Sequence, residues 1–104
     1  MIISTTPSLE GKKIKEYRGI VFGEVVSGIH FVNDLTASIT NMVGGRAEEY
    51  EQEIVNARAD TISEMMEKAE KIGANALVGV SIDLEVIESM LMVTASGTAV
   101  VTEE

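Results

Sequence analysis

The feature that most restricts the fold is a pair of alternating segments near the end of the chain. "VGVSIDLEV", residues 78–86, places Val78, Val80, Ile82, Leu84 and Val86 on one face, with Gly79, Ser81, Asp83 and Glu85 on the other. "MLMVTASGTAVV", residues 90–101, follows after Glu88–Ser89. If those two residues form the turn, Val86 pairs with Leu91, Leu84 with Val93, Ile82 with Ala95 and Val80 with Gly97. The second face then pairs Glu85 with Met92, Asp83 with Thr94 and Ser81 with Ser96. The first face is apolar on both strands, and a slip of one residue destroys the match. A hairpin is predicted, with a stripe of small residues, Ala95, Gly97 and Ala99, where a helix can approach closely.

The helix for that stripe is residues 47–73. Tyr50, Ile54, Ala57, Thr61, Met65, Ala69 and Ile72 fall within one arc at 100° per residue, with Glu49, Glu53, Asp60, Glu64, Glu67 and Lys71 opposite. Gly73 supplies the stop, and Lys68 and Lys71 suit the negative C-terminal end. Val55, Ala59, Ile62 and Met66 form a second apolar stripe. One sheet cannot bury both, so the second faces another helix or another subunit.

Upstream, residues 1–5 read as a short strand ending before Pro7. Residues 13–29 read as a long strand, apolar on both faces at Ile20, Val21, Phe22, Val25 and Val26, and so a buried central one. Gly19 and Gly23 point to a bend, a bulge or a close backbone approach. Between this strand and the long helix, Leu35, Ile39, Met42 and Val43 recur at helical spacing over residues 33–45, with Asn33 or Asp34 as cap and Gly44–Gly45 as stop. The predicted order is β-β-α-α-β-β. The fold class is α+β: a two-layer unit with a mostly antiparallel sheet and one long helix packed on it. At 104 residues, a single domain spanning 1–104 is expected.

Charge narrows the function. Seventeen acidic residues against eight basic ones give −9, which argues against nucleic acid and anionic membranes as partners. The chain has no cysteine, so disulfides and thiolate metal centres are excluded. There is no leader-like start, and no apolar run approaches about 18 residues. A cytoplasmic location is expected.

"VGGRAEEYEQE", residues 43–53, lacks the lysine and spacing of a phosphate loop, and its glutamates would repel phosphate. Those glutamates favour the positive end of the helix dipole. Glu49 and Glu53 share a helix face, but two carboxylates are too few for a hard cation; several identical subunits could supply the rest. His30, the sole histidine, needs partners to act as a ligand or base, and Asp34 from a neighbouring subunit is one. The methionines fall at packed positions and read as core or interface fillers. No acid, base and nucleophile set can be assembled, so an enzyme is not expected.

Gly44-Gly45-Arg46, Tyr50-Glu51, Ala57-Arg58, Gly73-Ala74-Asn75-Ala76 with Val78-Gly79-Val80, and Ala95-Ser96-Gly97-Thr98-Ala99-Val100 together resemble the YbjQ-like family of prokaryotic proteins, labelled heavy-metal-binding. The resemblance covers nearly the whole chain. It implies a two-layer unit similar to a dodecin subunit, assembled as a pentameric ring. It further implies a divalent metal cation as ligand, and it transfers no catalytic residue. Ala47 stands where the family commonly has Ser, which removes a capping or ligand hydroxyl. Two functions are therefore expected in turn: a homo-oligomer binding metal through His30, Asp34, Glu49 and Glu53 between subunits, or a structural ring without a metal.

Overall fold

A computed structural model describes residues 1–27, 48–87 and 90–103. Its elements are β1 (Ile2–Ile3), β2 (Ile14–Ser27), α1 (Glu48–Lys71), β3 (Ala76–Ile87) and β4 (Met90–Thr102). They form one four-stranded sheet in the order β1-β3-β4-β2 with α1 across one face. Among the described residues, the α+β class and a single helical layer follow the expectation. The sheet is mixed, because β1 runs parallel to β3, pairing Ile2 with Ala76 and Ile3 with Leu77. The helix expected at residues 33–45 lies outside the described residues.

The hairpin has the anticipated register from the turn down to Ser81, which faces Ser96. Below that the ladder shifts, and Val78 faces Thr98. Gly79, at φ 60°, sits within this bulge. The extra residue sends Val78 to the opposite face from Val80. Val80 joins Val21, Met65, Ala69, Leu77, Ala95 and Ala99 under the helix. Val78 joins Ala76 and Val100 in a second cluster, closed by Leu9 and Ile14. Strict alternation hid the break, since Val-Gly-Val reads the same with or without it. A Cβ at Gly79 would meet nothing within 4 Å, so only the left-handed backbone opposes a side chain there. Gly79→Ala is expected to cost about 1 kcal/mol, read as a lower urea midpoint at unchanged m-value.

Two expectations for the long strand are corrected. Among the described residues β2 is an edge strand, and β4 is interior, paired with β2 on one side and β3 on the other. Its two apolar sets do not both become core. Val21 is buried under α1, whereas Ile20, Phe22 and Val26 are 68%, 53% and 55% exposed on the open face of the sheet. Gly19, at φ 125°, ends a bulge that begins at Tyr17.

α1 ends as its sequence foretells. Gly73 adopts φ 83°, its N–H bonds to the carbonyl of Glu70, and the N–H of Ala74 reaches the carbonyl of Ala69. This double closure satisfies the Ala69 and Glu70 carbonyls in the last turn of the helix. Asn75 then fastens the start of β3 to the end of β4. Its N–H bonds to the Val100 carbonyl, and its side-chain oxygen accepts from the Thr102 amide at 2.9 Å.

Candidate functional site

Two features of α1 bear on ligand binding: where it sits on the sheet, and where its carboxylates point. Its position follows from small residues below and an ion pair at the side. Thr61 and Met65 lie directly over Gly23 and Gly97, which have no side chains to hold the helix away. Thr61, fully buried, donates its hydroxyl to the Ala57 carbonyl at 2.7 Å and so presents only its methyl to the sheet. On the β2 flank, Lys68 Nζ donates to the Phe22 carbonyl at 2.9 Å, and Glu64 Oε2 accepts the Glu24 amide at 3.3 Å. Lys68 and Glu64 also pair at 3.0 Å. The Lys68 hydrogen bond, with the Glu24 amide second, holds the Glu64 carboxyl below its ordinary pKa.

This anchoring sets what the helix leaves uncovered. It lies over β2 and β4, and the upper half of β3 stands outside its shelter: Ile82, Leu84 and Val86 are 36%, 39% and 51% exposed. In this upper part the face anticipated as core is thus buried only on β4, at Leu91, Val93 and Ala95, while on β3 burial stops at Val80. Of the second helical stripe, Ile62 and Met66 are partly buried and Val55 is exposed.

The first turns of α1 carry the expected glutamates. A shallow depression there is lined by Glu48, Glu51, Gln52, Ile54, Val55 and Arg58. Glu53 is not part of it. At 100° per residue, Glu53 falls on the flank shared with Glu64 and Lys71, well over 90° round the helix from Glu48 and Glu51. The carboxylates are therefore divided between two sides, with Arg58 among those of the depression. Glu49 occupies the first described turn of α1, one turn before Glu53. His30 and Asp34 lie outside the described residues. Among the described residues, no group of three or more His, Asp or Glu is placed to hold a metal ion. One chain's described residues do not fit a metal centre by themselves.

The helix anchor Glu64–Lys68 was not singled out from sequence. Its signal was the i,i+4 spacing, which marks a local pair but not its reach to the backbone of β2. Among the described residues, no helix is long and apolar enough to cross a membrane.

A family model described as "Putative heavy-metal-binding" matches residues 1–103. The chain belongs to the YbjQ-like family. Its YbjQ-like relatives include a UPF0145 protein of Listeria ivanovii, 55% identical over 99% of this chain and 96% of its own length. A UPF0145 protein of Clostridium botulinum is 57% identical over 96% of this chain and 97% of its own. Among solved structures, a protein of unknown function from Pediococcus pentosaceus, assigned to the DUF74 family, superposes with a TM-score of 0.68. That match spans 99% of this chain and 98% of the other at 16% identity, and it bears on the fold alone.

Proposed function

We propose that this protein is a small cytoplasmic homo-oligomer, a pentameric ring, that binds heavy-metal cations at sites shared between subunits and catalyses no reaction. The observation that carries the assembly is the apolar surface left open on a single chain. Tyr17, Ile20, Phe22 and Val26 are each more than half exposed on one strand. The chain exposes 6695 Å², where a compact monomer of its 11.2 kDa would expose about 5,700 Å². Its radius of gyration is 16.8 Å, against about 13 Å for a compact domain of this length. Both excesses support reading the chain as a subunit of an assembly.

The metal reading rests on the family description and on the acidic start of α1. Glu49 and Glu53, with His30 and Asp34, supply a nitrogen and carboxylate oxygens, a donor set suited to Zn²⁺, Ni²⁺ or Cu²⁺. Because the described part of one chain offers no triple, the proposed site draws ligands from more than one subunit. Calorimetric titration of the assembled protein with Zn²⁺, Ni²⁺, Cu²⁺ and Ca²⁺ is expected to show at least one ion binding tighter than about 1 mM, roughly 4 kcal/mol. His30→Ala and Glu53→Ala should each weaken that ion by about tenfold or more, or 1.4 kcal/mol. An assembled ring that binds none of the four would leave the protein a structural module instead.

A further inference from the structure

We infer that the basic lower end of β2 in one copy docks against the acidic upper half of β3 in the next, so that copies join head to tail. This rests on the oligomeric reading above and names the surfaces that would build it.

Four of the eight basic residues fall within residues 12–18: Lys12, Lys13, Lys15 and Arg18. Arg18 is engaged by Glu16 at 2.7 Å, but the three lysines have no ion pair among the described residues. Tyr17 within that segment and Ile20 just beyond it are the two most exposed large apolar side chains of the described residues, at 71% and 68%. The upper half of β3 is its counterpart. Asp83 and Glu85 are exposed and also have no ion pair among the described residues, and they alternate with the uncovered Ile82, Leu84 and Val86. The two strand segments are opposite in charge and each carries exposed apolar side chains; on β3 the apolar side chains and the carboxylates lie on opposite faces and meet at the strand edge, which β1 leaves unpaired beyond Leu77.

The two surfaces cannot meet within one copy. The lower end of β2 pairs with residues 98–102 of β4, and the upper half of β3 pairs with residues 90–96. They therefore occupy opposite ends of a molecule 52 Å long. A contact between unlike surfaces is heterologous, and repeated heterologous contacts close into rings when the rotation allows. Two alternatives are weaker on the same observations. Pairing β3 with its own copy about Leu84 would set Asp83 opposite Glu85, a repulsive cross-strand pair. The middle of the β2 edge is already occupied by Lys68 at the Phe22 carbonyl and Glu64 at the Glu24 amide.

The test is a charge swap on the full chain, read as mass by sedimentation at fixed protein concentration. Lys13→Glu with Lys15→Glu should weaken assembly by about tenfold or more, and so should Asp83→Lys with Glu85→Lys. The chain carrying all four changes should recover to within about threefold of the parent, because attraction is restored with its signs exchanged. Raising salt should weaken the parent assembly. If both paired variants assemble like the parent, this interface is wrong while the ring reading stands. If both lose assembly and the fourfold variant does not regain it, the two surfaces do not face each other. A monomeric parent at micromolar concentration would overturn this interface and the ring together.

Discussion

Gly23→Ala is expected to cost about 3 kcal/mol, the upper end of the range for overpacking a filled core. A Cβ at this position would fall inside the contact distance of the Thr61 carbonyl oxygen and 2.9 Å from Met65 Cγ. The oxygen is helix backbone and cannot rotate away, so α1 must lift from the sheet or β2 must bend. Gly97 provides an internal comparison. There the Cβ would meet the Cγ2 of Val80 at 3.0 Å and the Cε of Met65 at 3.1 Å, both the ends of side chains. Gly97→Ala should therefore cost about 1 kcal/mol, the lower end of the same range. Urea unfolding of both variants at one protein concentration measures the difference, since assembly would make stability concentration-dependent. Equal losses at the two positions would contradict the close helix approach at Gly23.

Met65→Ala is the second large effect, expected at about 2–5 kcal/mol. Met65 has no exposed surface, and its side chain spans the slot between the two glycines, Cγ towards Gly23 and Cε towards Gly97. Truncation leaves that slot empty beneath a helix held in place by Lys68 and Glu64, which limits collapse. Met65→Leu, similar in volume, should cost less than about 1.5 kcal/mol. Gly97→Ala should be better tolerated beside Met65→Ala than alone, because the new methyl would occupy space that Cε has left. A double-mutant cycle reads this as a favourable coupling of about 0.5 kcal/mol or more. Strict additivity would place Met65 elsewhere.

These two positions show what sequence conveys well. Small residues at Gly23, Ala95 and Gly97 marked where a helix could come close, and the 3.6-residue period named Thr61 and Met65 as the side that comes. The hairpin register was legible because two independent alternations had to agree. Gly79 was less legible: its bulge needs a left-handed residue, and a glycine inside an alternating strand satisfies the pattern either way. The position of β2 was misjudged for a different reason. Apolar residues on both faces of a strand signal burial, but not whether the same chain performs it. Ile20, Phe22 and Val26 carry the signal of a central strand and lie open on an edge strand. The candidate site was least legible. Glu53 and the Glu48–Glu51 depression lie on different sides of α1, and one chain's spacing carries no information about ligands contributed by other copies.

The central place of β4 has a consequence for how the chain is made. Among the described residues, every strand partner of β2 belongs to β4, which is synthesised after α1 and β3; Ser27 waits for Leu91, and Ile14 for Thr102. At about 5–20 residues per second, β2 emerges several seconds before anything it can pair with. In that interval any extended conformation of the segment has no strand partner on either edge, a state open to aggregation. Lys15, Glu16, Arg18 and Glu24 interrupt its apolar run, and charged side chains along a strand blunt edge-to-edge pairing until β4 arrives.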